Sequence, residues 1–449
     1  MNKYFSLLLF FILIFVTSCS FDSKTGIWDG QKDEKKRIYA LEQEQANTIR
    51  RTKIYTSQKV FSTEIPLESK VLLSKPSNNV KWQMPGLNYQ NLLGNIYLPS
   101  IKNNFLKKKI GKNKSLLINI TPPPLFYEGN IYIADDTGTI YKISENGKLI
   151  WKKNIYKKIH KKIYKRISLT IYENNIYVSD NVGFIYSVNL KSGELIWIKN
   201  HGIPLKSKIK VYKGKIFLIN QDNRILALSS KDGSLVWDLR SITSFIKSKS
   251  LLSLAISTDG YIVASSSAGE LIKLSSINGQ VLWALNSLSS ISSSEADFFA
   301  SSDVVLFKNN VLFSTQSSIV SYDLKSGLIN WEKEINSLEI PIIDRNNIFF
   351  VTENGFFVIL KADTGKLIFS SNILKNLKKR NQKTKITGFI MGSGKIYAVT
   401  ANGYLIVVSA SSGVFEHTQK IGDRIFGSPI ISNGKLFILT EKSRIFGFN

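Results

Sequence analysis

The sequence predicts an all-β fold, an eight-bladed β-propeller of four-stranded antiparallel blades, from a repeated strand pattern and its regular spacing. The clearest copy of the pattern spans residues 175–197, where apolar residues alternate in Ile176–Ser179 and Phe184–Val188. Turns at Asp180–Gly183 and Lys191–Gly193 separate the runs. Alternation with period two, broken by Asn, Asp and Gly, is typical of antiparallel strands with one buried face. A single such sheet cannot bury both faces, so we expect copies of it to stack.

A turn glycine placed four residues before an aromatic residue marks the fourth strand of each copy. Successive glycines are 38 to 48 residues apart, a spacing that suits four-stranded propeller blades and is too long for leucine-rich or helical-pair repeats. We expect the aromatic side chains to pack between neighbouring blades, which is a structural role. The pairs are Gly147/Trp151, Gly193/Trp197, Gly233/Trp237, Gly279/Trp283, Gly327/Trp331 and Gly365/Phe369, and the pattern weakens to Gly413/His417.

An eighth copy is incomplete, because the chain ends before an outer strand can form. In a closed ring the missing strand comes from the N-terminal side, which removes an exposed sheet edge. Trp82 has the expected side chain but lies 69 residues before Trp151, whereas Leu106 lies 45 residues before it, within the observed spacing. We therefore expect residues 104–110 to close the ring.

Residues 1–18 have the layout of a signal peptide, with Lys3 followed by an apolar run, Leu7–Val16, that is too short to span a bilayer. The following residues, up to Cys19, are Val-Thr-Ser-Cys and resemble a bacterial lipobox. This resemblance implies cleavage before Cys19 and its acylation, with palmitate as an expected group. The alternative is a free thiol. Because Ser20 rather than Asp follows, similarity to lipoprotein sorting rules implies the outer membrane.

Residues 19–100 contain few strand signals and include the charged stretch Lys32–Arg37. We expect a lipid-anchored tether, partly disordered, before a propeller that spans residues 101–449. Apolar residues such as Trp82 and Leu93 are out of place in a solvated linker, so part of the tether is expected to dock on the propeller.

The formal net charge of +27 is high for an exported chain, and removal of the signal peptide deletes only Lys3. Such an excess favours an anionic partner or serves solubility. A nucleic-acid partner is not expected, because an exported lipoprotein rarely meets DNA. Anionic lipid, lipopolysaccharide and peptidoglycan stay open as partners.

The sequence indicates no catalytic residue, cofactor or metal site. The three histidines, His160, His201 and His417, are far apart and lie in no metal-binding motif. There is no dinucleotide-binding G-x-G-x-x-G after a strand and no phosphate loop. The single cysteine also excludes a disulfide within the chain.

Two copies of the repeat, Asn189-x-x-Ser-Gly-x-x-x-Trp197 and Asp323-x-x-Ser-Gly-x-x-x-Trp331, resemble the tryptophan-docking repeat of quinoprotein-type propellers. Together with the lipobox and the eight repeat positions, residues 100–449 resemble the BamB family, propeller lipoproteins of the machinery that assembles outer-membrane β-barrels. The resemblance implies a non-catalytic scaffold that is anchored in the outer membrane and faces the periplasm. Its implied partners are the barrel-forming subunit and nascent outer-membrane proteins.

The resemblance also implies a docking surface. Because the chain reverses at every turn, the turns between second and third strands emerge on the same rim as the connections from each fourth strand to the next blade. The resemblance to the BamB family implies that the connections after Trp237 and Trp283 form a docking surface for the barrel-forming subunit. Ser244–Ser248 is loosely similar to the family's L-x-L-R-G motif, and Ser294–Asp297 to its S-D-x-D motif. The implied contact residues are Ile246, Lys247, Glu295 and Asp297.

Lysine-rich connections fall on the same rim, at residues 107–114, 152–166 and 375–385, and we expect them to face anionic lipid headgroups. One alternative is therefore a membrane-tethered periplasmic propeller that binds anionic envelope components. A second is a quinone-dependent dehydrogenase, a class with a similar propeller that uses a Ca²⁺-bound quinone and, in many members, two adjacent cysteines. This chain has one cysteine and lacks the length for the usual active-site insertions.

Overall fold

The computed structural model describes residues 20–21, 28–29, 61–113, 122–156, 163, 165–241, 248, 250–287, 300–335 and 337–449. The chain divides into two units, Met1–Val60 and Phe61–Asn449. In the first unit the structure describes one antiparallel pair of short strands, Ser20–Phe21 and Trp28–Asp29. Among the described residues, no helix is long and apolar enough to cross a membrane.

The described strands of the second unit form eight four-stranded antiparallel sheets, so the fold is the eight-bladed β-propeller that the repeat predicts. In blades 1 to 7 the first strand is mostly buried, and the fourth is largely exposed except in blade 6, where Leu367–Asn372 is buried or half-buried. The strands are Leu125–Tyr127, Asn130–Ala134, Thr139–Ser144 and Leu149–Asn154 in blade 1; Ile167–Tyr172, Asn175–Asp180, Phe184–Asn189 and Leu195–Asn200 in blade 2; Lys210–Tyr212, Lys215–Ile219, Arg224–Ser229 and Leu235–Arg240 in blade 3; Leu254–Ile256, Tyr261–Ser265, Glu270–Ser275 and Val281–Asn286 in blade 4; Val305–Phe307, Asn310–Ser314, Ile319–Asp323 and Ile329–Lys333 in blade 5; Ile342–Asp344, Asn347–Val351, Phe356–Lys361 and Leu367–Asn372 in blade 6; Ile386–Gly392, Lys395–Thr400, Tyr404–Ser409 and Phe415–Lys420 in blade 7; and Ile430–Ser432, Lys435–Leu439, Arg444–Phe448 and Asn104–Lys109 in blade 8. Two short 3₁₀ helices, Ile373–Asn376 and Lys379–Asn381, lie between blades 6 and 7.

The third and fourth strands of blades 1 to 7 share a β-bulge at the same position of the repeat. In blade 2, Ser187 pairs with Trp197 and Val188 pairs with Leu195, which leaves Ile196 as the extra residue. A bulge strengthens the local twist and re-aims the side chains that follow it. The residue before each docking aromatic is therefore unpaired, and it is exposed in blades 1 to 5, as Ile196 shows at 50% exposure. In blade 6 the equivalent residue, Ile368, is half-buried.

The ring closes as the spacing predicts. Asn104–Lys109 pairs with the last strand of the chain, Arg444–Phe448, and completes blade 8. Leu106 is buried at 4% exposure, which agrees with its expected place in the position that aromatic residues occupy in blades 1 to 6.

The compact unit that contains the propeller begins at Phe61 rather than at residue 101, the boundary expected from the sequence. The physical reason is burial: Trp82, Leu93 and Ile96 are at most 4% exposed and belong to the main core of the ring. Of the expected tether, the part from Phe61 to residue 100 is therefore packed against the blades. The signal peptide, Cys19 and most of residues 20–60 lie outside the described residues.

Candidate interaction site

The docking aromatics join each blade to the next through the turn glycine of the neighbour. A Cβ atom added to Gly193 of blade 2 would lie 2.8 Å from the Trp151 ring of blade 1. The same relation joins Leu106 to Gly147, Trp197 to Gly233, Trp237 to Gly279, Trp283 to Gly327, Trp331 to Gly365 and Phe369 to Gly413. Only a residue without a side chain lets the ring lie this close to the backbone, and the positive φ of each glycine suits it further.

Four indoles also donate a hydrogen bond to a carbonyl of the next blade. The Nε1 atoms of Trp197, Trp237, Trp283 and Trp331 lie 3.0 to 3.3 Å from the carbonyl oxygens of Ser230, Ser276, Leu324 and Ala362. The Nε1 atom of Trp151 is buried with no partner among the described residues. These joints hold neighbouring blades together.

The predicted partner-binding residues Ile246, Lys247, Glu295 and Asp297 lie outside the described residues, but the structure describes where their connections begin. After blade 3, Ser241 Oγ donates a hydrogen bond to the Glu270 carboxylate. After blade 4, the Ser287 N–H donates to the Gly269 carbonyl at 2.9 Å. Gly269 ends the turn between the second and third strands of blade 4, and Glu270 begins the third strand. The two connections therefore start side by side on one rim.

Of the lysine-rich connections, the one between blades 6 and 7 is described completely. Lys375, Lys378, Lys379, Arg380, Lys383 and Lys385 are all exposed. Lys375 forms an ion pair with Glu64 at 2.8 Å, and Lys385 forms one with Glu353 at 2.8 Å. Lys114, Lys157, Lys158, Lys161 and Lys162 lie outside the described residues.

The centre of the ring is filled at one level by residues 79–96, which we call the inner segment. In seven blades a backbone N–H in or next to the first strand donates to a carbonyl of this segment, at 2.7 to 3.0 Å. The donors Phe126, Ile171, Ile256, Leu306, Ile343, Ser393 and Asn433 bond to Trp82, Gln83, Tyr89, Gln90, Leu93, Ile96 and Asn79 respectively. Because successive residues of this segment bond to the first strands of successive blades, the segment lies inside the central channel of the ring.

Blade 3 contacts the inner segment through a side chain instead. The Lys210 Nζ atom, at the start of the first strand, donates to the carbonyls of Pro85 and Asn88 at 2.6 Å each. Burial lowers the pKa of Lys210 to about 7, an effect that the nearby Lys208 reinforces and Asp303 opposes. The equivalent first-strand positions of blades 1 and 5 hold Leu125 and Val305, so Lys210 replaces an apolar residue of the repeat.

A cavity of about 310 Å³ lies beside the inner segment, among the residues that precede the first strands. Trp82, Gly86 and Leu93 of the inner segment line it, together with the cross-channel pairs described next. Since first strands start where the connections arrive, the cavity lies at the end of the channel nearest the rim that carries the connections after Trp237 and Trp283.

Two polar contacts cross the channel at this cavity, and each joins blades that are not neighbours. Lys208, before blade 3, forms an ion pair with Asp303, before blade 5. Ser428 Oγ, before blade 8, donates to Glu339 Oε2, before blade 6, at 2.8 Å. Burial raises the pKa of Glu339 to about 7; Asp303 and Glu353 raise it further, while the Ser428 hydrogen bond and Lys208 lower it.

Among the described residues, no group of three or more His, Cys, Asp or Glu side chains is arranged to hold a metal ion. His201 and His417 lie in different blades, and His160 is outside the described part. Burial lowers the pKa of His201, with Lys199 as a second cause. Sequence analysis expected part of the tether, with Trp82 and Leu93, to dock on the propeller, but it missed that residues 79–96 lie in the central channel, and it missed Lys210 and Glu339. The available signals were the apolar residues of the expected tether and a lysine at an apolar strand position.

Eight four-stranded blades, a closing N-terminal strand and glycine–aromatic joints define a propeller of the tryptophan-docking class. The sequence matches the family described as "Outer membrane protein assembly factor BamB" over residues 82–200 and 136–371. The chain belongs to this family.

Curated relatives with the same description include the protein of Yersinia pestis, which is 23% identical over 335 residues, 72% of this chain and 83% of the relative. The Escherichia coli K12 protein is 26% identical over 159 residues, 34% of this chain and 38% of the relative.

Among solved structures, BamB of Moraxella catarrhalis has a TM-score of 0.62 at 12% identity, over 77% of this chain and 100% of that one. The quinohemoprotein alcohol dehydrogenase of Comamonas testosteroni has a TM-score of 0.63 at 11% identity, over 82% and 80%. At such identities these structural similarities concern the fold alone.

Proposed function

We propose that this protein is a non-catalytic scaffold of outer-membrane protein assembly, which binds the barrel-forming subunit of the assembly machinery and assists insertion of outer-membrane proteins. Membership of the BamB family carries the proposal, since the relatives are described as outer-membrane protein assembly factors. The contact surface is the pair of connections after Trp237 and Trp283, with Ile246, Lys247, Glu295 and Asp297 as contact residues. The two connections begin at Ser241 and Ser287, which bond to the adjacent residues Glu270 and Gly269. This proximity supports a single continuous surface.

The test is a charge reversal at the proposed surface, Glu295→Lys with Asp297→Lys, followed by capture of the purified barrel-forming subunit. We expect capture to fall at least tenfold, because two attractive carboxylates become repulsive cations. The matched control is Glu128→Lys with Glu173→Lys, which makes the same charge change at exposed turns of the opposite rim. Loss of capture in the control pair alone would mean that the wrong rim has been assigned.

A second candidate function is binding of anionic envelope lipid by the lysine-rich rim. The six exposed cations of residues 375–385 favour it, because clustered Lys and Arg contribute about 1 kcal/mol each near an anionic bilayer. Flotation with phosphatidylglycerol vesicles should capture the protein at low salt and lose it on replacement of Lys378, Lys379 and Arg380 by Gln. Equal flotation with phosphatidylcholine vesicles would contradict this function.

The proposed location is the outer membrane, with Cys19 as the acylated anchor and the propeller in the periplasm. Cys19→Ala should leave a folded protein that is absent from the outer-membrane fraction, because the described ring does not use this residue. A Cys19→Ala protein that is still acylated and still sediments with the outer membrane would contradict the assignment. We assign no catalytic step, and the dehydrogenase alternative predicts alcohol oxidation when purified protein is supplied with quinone and Ca²⁺.

A further inference from the structure

The cavity beside the inner segment contains polar atoms that the protein itself leaves without partners. Trp82 Nε1 and Ser301 Oγ are buried, and neither has a hydrogen-bond partner among the described residues. Both residues line the cavity and are at most 4% exposed. Buried polar groups in proteins are nearly always paired, so each of these atoms indicates a missing acceptor or donor.

The charges of the lining also differ from those of the whole protein. The lining residues include three carboxylates, Asp303, Glu339 and Glu353, and two cations, Arg166 and Lys208, although the chain carries a net charge of +27. Lys208 is paired with Asp303, and Glu353 with Lys385. The Glu339 carboxylate lines the cavity, and among the described residues its hydrogen-bond partner is the Ser428 hydroxyl. A cation would complete its environment.

The remaining walls are apolar and suit aliphatic side chains. Leu93, Ile340, Val351, Ile386 and Ile430 line the cavity together with Phe426. A volume of about 310 Å³ is at the lower end of the range for ligand pockets, which suits a few amino-acid residues rather than a large cofactor. The inner segment is itself a stretch of peptide, with turns over residues 84–90, that is held in this channel through its carbonyls. The channel therefore already accommodates a peptide backbone.

We propose that this cavity binds a short extended segment of another polypeptide, with a lysine or arginine side chain directed at Glu339 between apolar neighbours. A backbone carbonyl of that segment accepts from Trp82 Nε1, and Ser301 Oγ bonds to the same backbone. The apolar residues that line the cavity contact the side chains on either side of that lysine or arginine. This inference does not rest on the contact with the barrel-forming subunit, which uses other residues.

The experiment titrates the full chain with three probes by isothermal calorimetry at pH 8. The probes are the blocked tripeptide Ac-Leu-Lys-Leu-NH₂, its norleucine analogue, which has no ammonium group, and n-hexylamine, which has no peptide groups. We expect the lysine peptide to bind at least tenfold more tightly than either other probe. Equal affinity for hexylamine would overturn the peptide assignment, and equal affinity for norleucine would overturn the role of Glu339.

Variants test whether the peptides bind in this cavity. Glu339→Gln should remove the preference for lysine over norleucine, and Ser301→Ala should weaken both peptides several-fold. The matched control is Glu332→Gln, which neutralises an exposed carboxylate on the outer strand of blade 5 and should leave all affinities unchanged. The proposal fails if no saturable heat is observed at millimolar peptide, or if Glu339→Gln and Glu332→Gln behave alike. Melting curves of each variant confirm that the ring is folded.

Discussion

The outer joints and the centre of the ring are built in different ways. At each regular joint an aromatic or aliphatic side chain lies on the turn glycine of the next blade, and the same contact recurs seven times with small changes. At the centre, residues 79–96 accept backbone hydrogen bonds from seven blades and bonds from the Lys210 side chain of blade 3, all through one stretch that occurs once in the chain. Repetition can therefore specify the ring, whereas the centre depends on residues that occur once.

The joint between blades 7 and 8 shows what the regular contact contributes. His417 occupies the aromatic position of blade 7, but it is exposed. Blade 8 takes its fourth strand from Asn104–Lys109, so it has no turn between third and fourth strands and no turn glycine to cover His417. The packing between blades that we expect at the aromatic positions is therefore absent at His417, because a blade closed by a separate strand lacks the covering turn.

The largest expected effect is loss of closure. A chain that starts at Ser115 lacks both the closing strand and the inner segment, so we expect aggregation or strand exchange between molecules through the open edge of blade 8. Size-exclusion chromatography with light scattering measures the outcome.

A chain that starts at Lys102 separates the two regions, because it keeps Asn104–Lys109 and lacks the inner segment. We expect a monomer that melts at a lower temperature, since seven backbone donors of the channel lose their acceptors. A stable monomer from the Ser115 start would show that the ring closes in another way.

The second effect tests the outer joints. Trp331 is 8% exposed and donates to the Ala362 carbonyl at 3.0 Å, so Trp331→Ala should lower the free energy of unfolding by about 3–5 kcal/mol. His417→Ala changes the equivalent position of the irregular joint and should stay within about 0.5 kcal/mol of wild type. Denaturant titration measures both. Equal losses would mean that the glycine turn adds nothing to the joint.

The sequence predicts the regular region well and the centre poorly. Period-two alternation and the Gly-x-x-x-aromatic spacing specify the blades, and the same spacing identifies Leu106 as part of the closing strand. No periodicity marks residues 79–96, because their contacts are made by backbone carbonyls, which carry no residue signature. The sequence does not predict the hydrogen bond between Ser428 and Glu339 either, since it joins residues 89 positions apart across the channel.

A smaller effect tests how closely an aromatic ring packs on its turn glycine. Gly193 and Gly202 have similar positive φ, 73° and 71°, but an added Cβ meets Trp151 at 2.8 Å in the first and nothing within 4 Å in the second. Gly202→Ala should cost about 1–2 kcal/mol from the backbone alone. Gly193→Ala should cost about 1–3 kcal/mol more, because the ring must move. Equal costs in thermal melts would show that the ring moves freely.

The smallest expected effect concerns the centre and depends on pH. The pKa of Glu339 is raised to about 7 in the folded protein, against an ordinary value near 4.3 in an unfolded chain. Between these values the folded state retains a proton that the unfolded state has lost. The stability from this group is therefore complete below about pH 4 and is lost as the pH rises through 7.

Glu339→Gln removes this titration while Lys208, Asp303, Glu353 and Ser428 still surround the position. The variant should melt at least about 2 °C above wild type at pH 8 and close to wild type at pH 4.5. Glu332→Gln, on the exposed outer strand, should follow wild type at both pH values. If the melting temperature of Glu339→Gln differs from that of wild type by the same amount at pH 4.5 and pH 8, the ionisable group lies outside the buried centre.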